Sequence, residues 1–466
     1  MLLLPRTSSR PQSHQRECSP GRNLALASQP EVFFGYVSVE CSCSTHSSVA
    51  KGISRMKRAV VVGAGIVGLS TALYLQKKER HVTLVDPLPP GEGTSFGNAG
   101  IISVGSVHPE ATPGIWREIP RMLFRAPAPV RLRSAYLLPF LPWLMRFLMN
   151  SSQARYLQSA VAMHALSSQA MEYLEPLVRE AGATQWIKRQ GSLYVYGERR
   201  QFDRALQQNG LRQRLGVDCQ VLRGGEVNES EPALAAGLAG ALLVPGACHT
   251  VSPIKLSRSL FGLFLRRGGN FLQTRVTHFQ LQGRRVVQFE AGGNRVSDEV
   301  FITAGAYSKD LARLLGSSMP LDTERGYHVV MPDPGVSLAR PILFPPQGFA
   351  ATSMADGLRL AGTVEFAGLL AEPDYRNTTL MVQAARRFLP ELIGQGEQPW
   401  MGYRPSLPDS LPVISRSPLL DNVYFGFGHG HLGLTMAAVT GATLAAMAAE
   451  EAPPVDTTPY RIDRRY

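Results

Sequence analysis

Runs of apolar residues and the polar segments between them divide the chain from Met56 onward into alternating strands and helices. The first run, at 58–62, predicts a buried strand, and the apolar positions of 66–77 then repeat at helical spacing. A further run at 81–85 predicts a second strand, and a loop rich in Gly, Pro and Ser covers 87–107. This order of strand, helix and strand is typical of a parallel α/β sheet.

The mixed pattern continues to the end of the chain. The Ser252-Pro253 pair is a helix start, with a capping hydroxyl before proline at the first helical position. The helices predicted after the first cover about 135–181, 252–267 and the segment from 432 onward. The strands predicted after the second cover 191–197, 271–279, 297–303, 326–331, 358–364 and 422–426.

Residues 1–55 differ from the rest of the chain because they are rich in Ser, Arg, Pro and Gln and show no sustained apolar period. We predict that this segment is a disordered or dispensable extension, with Met56 as the functional start. Its Ser and Arg content is typical of a transit peptide, but Glu17, Glu31 and Glu40 argue against one.

The composition indicates a folded protein. Apolar residues make up 44% of the 466 positions and charged residues 18%, which excludes a globally disordered or fibrous chain. Five cysteines, three of them in the first 55 residues, are typical of a reduced, intracellular protein. The formal charge of +12 comes from scattered residues without a basic block, so we expect no nucleic-acid partner. The excess suits a solubilising surface, or attraction to anionic lipid or to a carboxylate substrate.

Two apolar segments bear on membrane contact. Segment 136–149 is interrupted by two prolines and Arg146 and is shorter than the about 20 residues that a helical span needs. It is either a peripheral membrane contact, with Trp143 and Phe147 as interfacial residues, or a buried helix of a cap domain. Segment 432–449 is long enough but weakly apolar, which predicts a helix buried in a soluble core.

The strongest chemical signal is Gly63-Ala64-Gly65-Ile66-Val67-Gly68, which follows the first strand and opens the first helix. Gly63 permits a tight turn, Gly65 lets backbone amides approach a pyrophosphate, and Gly68 lets helix and strand pack closely. The positive N-terminal end of the helix then faces the phosphates. Asp86 follows the second strand, where its carboxylate can accept a hydrogen bond from a ribose hydroxyl. An acid at this position, in place of an arginine, disfavours binding of the 2′-phosphate of NADP. The pattern predicts a site for NAD or FAD.

Two later segments favour FAD. Residues 302–306 follow a strand, and the glycine-rich turn at 426–435 feeds the last helix, so its helix N-terminus suits a flavin that becomes anionic on reduction. His429 and His431 lie in this turn, but two histidines without a third ligand make a poor zinc site. We therefore predict no metal and leave the role of His431 beside the flavin open.

These motifs resemble the FAD-dependent amine and amino-acid oxidoreductases of the D-amino-acid oxidase, glycine oxidase and sarcosine oxidase superfamily, and among them the bacterial D-amino-acid dehydrogenases. One departure is Asp86, where many members carry Glu. The resemblance spans about 60–450 and rests on VVVGAGIVGLSTALYL, PPGEGTSFGNAGIIS, FITAGAYSKDL, WMGYRPSLPDSLPVIS and GFGHGHLGLTMAAVTG.

The resemblance implies an α/β fold with a doubly wound, Rossmann-type FAD domain built from discontinuous segments, beside a substrate domain with a mixed β-sheet. The implied FAD-binding segments are 56–110, 247–318 and 399–450. The implied substrate or cap segments are 111–246 and 319–398, followed by a tail at 451–466.

The resemblance also implies the site residues. Arg404, in Gly402-Tyr403-Arg404-Pro405, would bind the substrate carboxylate through two parallel hydrogen bonds. Tyr327 and His328 would lie on a strand that borders the active site. The residues implied to bind the cofactor are Gly63, Gly65, Ile66, Val67, Gly68, Asp86, Ser95, Asn98, Ala99, Gly100, Val276, Ala304, Gly305, His431, Leu432, Gly433, Leu434 and Thr435.

The implied activity is oxidation of a D-amino acid, or of a D-proline-type secondary amino acid, by hydride transfer from the α-carbon to flavin N5. Electrons would pass to a quinone chain, with the protein cytoplasmic or peripheral on the inner face of the plasma membrane through 136–149. The sequence shows no obvious acid–base dyad, which suits a mechanism based on positioning. Three alternatives stay open: an oxygen-using oxidase of the glycine or sarcosine oxidase type, a flavin-binding subunit of a heteromeric dehydrogenase, and an NAD-dependent dehydrogenase.

Overall fold

The computed structural model describes residues 56–124 and 130–466, so the predicted extension at 1–55 lies outside the described residues. Its α-helices, in chain order, are α1 (Ile66–Lys77), α2 (Ile115–Phe124), α3 (Leu137–Asn150), α4 (Gln153–Ser167), α5 (Ala170–Glu180), α6 (Arg199–Arg214), α7 (Gly225–Ser230), α8 (Pro253–Arg266), α9 (Ser308–Leu314), α10 (Arg376–Arg386) and α11 (Gly433–Ala448).

The strands lie between these helices along the described residues. In chain order they are β1 (Arg58–Val62), β2 (His81–Val85), β3 (Ile101–Ile102), β4 (Val130–Leu132), β5 (Ile187–Lys188), β6 (Ser192–Tyr196), β7 (Gln220–Leu222), β8 (Gly240–Val244), β9 (Cys248–Thr250), β10 (Asn270–Leu272), β11 (His278–Gln282), β12 (Arg285–Glu290), β13 (Asn294–Val296), β14 (Glu299–Ile302), β15 (Asp322–Met331), β16 (Ile342–Phe344), β17 (Phe349–Met354), β18 (Gly357–Phe366), β19 (Glu397–Ser406), β20 (Val413–Arg416) and β21 (Val423–Phe427).

A six-stranded sheet in the order β10-β2-β1-β14-β21-β20 carries the predicted dinucleotide motif. Its first five strands are parallel, and only β20 runs antiparallel to its neighbour. Alternate residues of β1 enter different cores: Val61 packs against α1, α8 and α11, and Val60 packs against β11 and β12 on the opposite face. The carboxyl ends of β1, β14 and β21 therefore meet at one edge, where ligands of such sheets bind.

The second large sheet is mixed and contains nine strands. Their order is β19-β15-β18-β17-β16-β6-β8-β7, and β4 pairs alongside β18. Helix α10 covers one face through Met381 and Ala385. Together the two sheets confirm the predicted fold class. Most of β19 falls within the predicted FAD-binding segment 399–450, yet the strand pairs in this sheet. The domain boundaries stay a prediction.

The single strand predicted at 271–279 is wrong. The structure has β10 in the six-stranded sheet and β11 in a separate antiparallel sheet. Residues 274–277, which lie between these two strands, line a large cavity. The alternating polar and apolar residues at 274–277 are compatible with an extended strand. This pattern does not reveal that the chain leaves one sheet and enters another.

Helix α11 is buried over most of its length and crosses α1 closely. A Cβ atom at Gly441 would lie 2.7 Å from the backbone of Ser70 and Thr71, so the two helices approach to backbone contact. The segment Gly430–Ala448 is the one helix of the described residues that is long and apolar enough to span a membrane, and 83% of it is buried inside the protein. This burial agrees with the predicted core helix.

The C-terminal tail at 451–466 is anchored to the body of the protein. The Tyr460 hydroxyl donates to the Ala162 carbonyl at 2.6 Å. The Arg464 guanidinium binds both oxygens of Asp409, at 2.6 and 3.0 Å, and both side chains are about nine-tenths buried. The tail is therefore part of the folded unit.

We expect Arg464→Ala to lower the free energy of unfolding by about 3–5 kcal/mol, because it leaves the Asp409 carboxylate buried without its partner. Thermal unfolding followed by circular dichroism measures this loss. Arg465→Ala, at an exposed neighbour, is the control and should change stability little. Equal melting temperatures for the two variants would contradict the anchoring role of Arg464.

Candidate active site

The glycine motif forms a tight junction between β1, α1 and β14. Gly63 has a φ of 110°, and a Cβ atom there would lie 2.5 Å from the Thr303 carbonyl oxygen. A Cβ atom at Gly68 would overlap the Gly63 carbonyl oxygen. The close helix–strand contact predicted for Gly68 is therefore present in the structure.

The N-terminus of α1 and the Asp86 carboxylate border the same opening. Asp86 accepts hydrogen bonds from the backbone N–H of Ala64 at 2.7 Å and of Leu88 at 2.9 Å. Burial raises the pKa of Asp86, and these two bonds counteract the rise. Ser95 reaches the helix start and accepts from the Ile66 N–H at 3.0 Å. The acid is thus held beside the glycine turn, and its contact with a ribose stays a prediction.

A cavity of about 1460 Å³ runs from this edge to the nine-stranded sheet. It exceeds the roughly 300–1,000 Å³ of ordinary ligand sites, as expected when a dinucleotide and a substrate share one space. Most of the predicted site residues line it: Gly63, Gly65, Ile66, Val67, Asp86, Ser95, Asn98, Ala99, Val276, Ala304, Gly305, Tyr327, Arg404, His431, Leu432, Gly433 and Leu434.

Four predicted residues do not line the cavity: Gly68, Gly100, His328 and Thr435. Gly68 lies in the helix–strand contact and Gly100 in a turn with a φ of 77°. Thr435 accepts a hydrogen bond from the backbone N–H of Ser103 at 3.0 Å, so it holds the loop after β3 to α11. These contacts support the walls of the cavity.

His328 lies on the same face of β15 as Glu324 and Gly326, but its ring is covered by neighbouring residues and does not line the cavity. Its ring stacks on Trp400 at 5.0 Å between centroids, and its Nδ1 lies 3.0 Å from the Gly97 carbonyl oxygen. Burial lowers the pKa of His328 to about 4. Trp400 lies directly opposite His328 in the register of β15 and β19 and covers the ring, although the strand itself borders the cavity.

Tyr327 lines the cavity, but its hydroxyl is engaged in the protein. It donates to Glu365 at 2.5 Å and accepts from the Asp374 N–H at 3.1 Å. Burial and the Glu365 carboxylate raise the pKa of Tyr327 to about 12, so the phenol stays protonated. This geometry favours a structural contribution of the hydroxyl over a direct contact with substrate.

Arg404 projects into the cavity across the neighbouring strand. Its guanidinium lies over Gly326, where a Cβ atom would overlap it, and donates to the Thr363 carbonyl at 3.0 Å. It forms no ion pair with any carboxylate of the described residues. Burial lowers the pKa of Arg404, and the nearby Glu324 and Glu110 oppose that shift. A charged group so placed is available to an anionic ligand.

Two acids beside Arg404 escaped the sequence analysis. Glu324 is 8% exposed and Glu110 lies in the loop after β3, and both line the cavity. The Glu110 carboxylate lies 3.5 Å from His431 Nδ1. Their chain positions are more than 200 residues apart: the pairing of β15 with β19 brings Glu324 to the arginine, and the loop after β3 brings Glu110. No local motif could have identified them.

His429 lines the same cavity as His431, but its ring is bonded to the last helix. Its Nε2 lies 2.9 Å from the Thr440 hydroxyl on α11, and burial lowers its pKa to about 3. Over 56–124 and 130–466, no three His, Cys, Asp or Glu side chains are grouped closely enough to hold a metal ion.

The residues present fit FAD. The turn at Gly63 and Gly65 has no room for larger side chains and lies at the positive N-terminal end of α1, which suits a pyrophosphate. Asp86 lies in the same cavity, where a ribose contact is predicted, and the short turn before α11 brings a second helix N-terminus to the cavity wall.

Comparison with known proteins agrees with this geometry. Residues 58–447 match the model of the family described as FAD dependent oxidoreductase. The chain is 32% identical over 412 residues to a D-amino-acid oxidase of Bradyrhizobium diazoefficiens, covering 87% of this chain and 98% of that protein. It is 32% identical over 397 residues to a D-amino acid dehydrogenase of Vibrio vulnificus, covering 82% and 94%.

The fold recurs in solved structures. A glycine oxidase from Geobacillus kaustophilus superposes with a TM-score of 0.68 at 20% identity, over 88% of this chain and all of that one. The superfamily predicted from the motifs is thereby confirmed, and FAD is confirmed over NAD as the cofactor. The chain belongs to the family of FAD-dependent oxidoreductases that includes the D-amino-acid oxidases.

Proposed function

We propose that the protein oxidises a D-amino acid, or a D-proline-type secondary amino acid, to the corresponding imino acid. The observation that carries the proposal is the Arg404 guanidinium, which faces the cavity without a carboxylate partner among the described residues. A guanidinium of this kind binds a carboxylate through two parallel hydrogen bonds and fixes its orientation. The D configuration follows the names of the two curated relatives.

The chain contributes orientation and exclusion of water. Arg404 holds the substrate carboxylate over Gly326, and the buried strands β15 and β18 form the wall behind it. The glycine turn, Asp86 and the N-terminus of α11, which line the cavity, would hold the cofactor. When bound, FAD supplies N5 as the acceptor for the α-hydrogen, which leaves with its electron pair as a hydride and yields an imino acid that water hydrolyses.

Product analysis tests this proposal. The purified holoenzyme is incubated with single D-amino acids and an artificial electron acceptor, and ammonia and 2-oxo acid are measured. We expect equal amounts of both products from at least one D-amino acid and little from its L-isomer; cyclic amino acids should give the 1-pyrroline carboxylate instead. Absence of every product across D-amino acids and D-prolines would refute the proposed substrate class.

We further propose that electrons pass to a membrane quinone, with the protein cytoplasmic and in contact with the membrane through α3. The support is the outer face of this helix, where Leu138 is 79% exposed and Leu141, Met145 and Met149 are about half exposed. Trp143, named from the sequence as an interfacial residue, is instead buried between aromatic rings. The apolar face therefore differs from the one expected.

Replacing Leu138 and Met145 together by Glu should abolish binding to vesicles that contain anionic lipid, because two apolar contacts become charged. Cosedimentation with such vesicles measures this, and FAD content shows whether the fold is intact. Val296→Glu is the control, since Val296 is about half exposed on β13, which belongs to a separate three-stranded sheet. If the wild-type protein does not cosediment, or the double variant does so equally well, the membrane proposal fails.

An oxygen-using oxidase is the second candidate, and the relative from Bradyrhizobium named an oxidase favours it. The rate at which the reduced enzyme is reoxidised after air is admitted distinguishes the oxidase from the dehydrogenase. Reoxidation at a rate comparable to turnover, with hydrogen peroxide formed, would indicate the oxidase. Slow reoxidation in air and fast reoxidation by a soluble quinone would support the dehydrogenase.

A further inference from the structure

Arg404 and Glu324 carry opposite charges on neighbouring strands, yet they do not form an ion pair. The two residues are directly opposite in the register of β19 and β15, a pairing that brings Cβ atoms to about 4.5–5.5 Å. Arg404 leans along the strands over Gly326. Glu324 leans the other way and shares a side-chain hydrogen bond with Ser406. The two charged groups therefore diverge and leave a gap that opens into the cavity.

The charges at this gap are complementary to those of an amino-acid zwitterion: Arg404 would meet the carboxylate and Glu324 the ammonium group. The carboxylate and the ammonium of the ligand are joined through one carbon atom, so a cation and an anion on adjacent strands can bind both at once. An isolated buried carboxylate costs free energy unless it is paired. Glu324 is only 8% exposed, and among the described residues its one hydrogen-bond partner is the Ser406 hydroxyl. A cationic group of a ligand would therefore supply the charged partner that this carboxylate lacks.

The other charged groups that face Glu324 are Arg404, Glu110 and His431. Burial raises the pKa of Glu324, and the Glu110 carboxylate raises it further, while Arg404, His431 and the Ser406 hydrogen bond act in the opposite direction. A carboxylate with a raised pKa is a better proton acceptor than an ordinary one. Glu324 is therefore suited both to hold an ammonium group and to take a proton from it.

We propose that Glu324 is a catalytic residue that binds the ammonium group of the substrate and removes one proton from it, while Arg404 holds the carboxylate. The inference rests on the proposed function. It supplies a step that amino-acid oxidation requires, because an ammonium nitrogen has no free electron pair with which to form a C=N bond. The sequence offered no residue for this step.

The step balances as a proton transfer followed by oxidation. One N–H bond of the ammonium breaks, its electron pair stays on nitrogen, and an O–H bond forms on the Glu324 carboxylate. The neutral amine then uses that pair to form the C=N bond as the α-hydrogen leaves with its own pair to the cofactor. The substrate loses two electrons, FAD gains them, and the proton on Glu324 returns to solvent after product release.

The test compares FAD reduction by Glu324→Gln and wild-type holoenzyme under anaerobic conditions. At about pH 7 the substrate amine is protonated, and we expect the reduction rate of the variant to be about 10²–10⁴-fold below wild type. At about pH 10 a large share of the amine is free, and most of that loss should disappear. A loss of equal size at both pH values, or no loss at all, would overturn the proposal.

Glu397→Gln is the matched control. It makes the same substitution on strand β19, at an exposed position outside the cavity, and should reduce FAD at the wild-type rate at both pH values. Glu324→Asp provides a second variant that keeps a carboxylate. Restoration of part of the rate at about pH 7 by Asp and not by Gln would support proton transfer, and equal rates would contradict it.

A binding measurement separates failure of this inference from failure of the proposed function. The ligand 2-aminoisobutyrate has no α-hydrogen and cannot be oxidised, and isobutyrate lacks only its ammonium group. Isothermal titration calorimetry should show that wild type binds 2-aminoisobutyrate at least about tenfold more tightly than isobutyrate, and that Glu324→Gln loses this preference. If no amino acid reduces FAD, the proposed function fails but this comparison still stands. Equal affinity of wild type for both ligands would overturn the ammonium site.

Discussion

Replacing Arg404 by leucine is expected to lower kcat/KM for D-amino acids by a factor on the order of 10²–10³ while FAD stays bound. Removing one partner of a buried, hydrogen-bonded charge pair costs about 2–5 kcal/mol, and each 1.4 kcal/mol is tenfold in rate or affinity. The loss should fall on KM and kcat together, because the guanidinium both binds the carboxylate and orients the α-carbon. Steady-state kinetics and the flavin absorbance of the purified variant measure the two effects.

Two further variants make this result specific. Arg404→Lys keeps the charge but cannot form two parallel hydrogen bonds, so its kcat/KM should lie between those of leucine and wild type. Arg387→Leu removes an exposed arginine after α10 and should leave the kinetics unchanged. An unchanged kcat/KM for Arg404→Leu would show that the substrate carboxylate binds elsewhere.

Gly68→Ala is expected to yield protein without bound FAD, or no soluble protein. The new methyl group would overlap the Gly63 carbonyl oxygen and would lie 2.8 Å from the Thr303 hydroxyl oxygen, both in rigid surroundings. Overpacking of this kind costs typically 1–3 kcal/mol, and relief by moving α1 would displace the helix N-terminus from the pyrophosphate position. The ratio of flavin to protein absorbance and the melting temperature measure the outcome.

Gly210→Ala is the matched control for Gly68→Ala. Gly210 lies within α6, where a Cβ atom would meet nothing within 4 Å, and alanine there favours the helix by about 1 kcal/mol. This variant should keep its FAD and melt at the same temperature or higher. A Gly68→Ala protein with full FAD content and wild-type stability would contradict the close packing at the motif.

The parts of the fold predicted from the sequence are those with a strong local signal. Strand 58–62, helix 66–77 and strand 81–85 were predicted at the bounds that the structure has, because apolar periodicity, glycine spacing and Asp86 all indicate the same unit. The strand at 271–279 failed because alternation of side chains does not report which sheet a residue joins.

The site divides in the same way. Motifs with a fixed backbone geometry, such as the glycine turn, identify their residues directly. His328 was expected to contact the substrate, but Trp400 and the Gly97 carbonyl cover its ring, and the sequence does not show which side chains a neighbouring strand or loop covers. Glu110 and Glu324 were missed because their meeting with Arg404 depends on the pairing of β15 with β19 and on the course of the loop after β3. Such information arises only from tertiary structure.

The measurement that tests the central claim most directly is an anaerobic visible spectrum of the purified protein before and after single amino acids are added. The account predicts the absorbance of oxidised flavin, and its loss on addition of at least one D-amino acid or D-proline but not of the matching L-isomer. A flavin spectrum that no member of such a panel changes would contradict the assignment of this cavity to D-amino-acid oxidation. A protein that stays colourless after FAD is added would contradict the cofactor site itself.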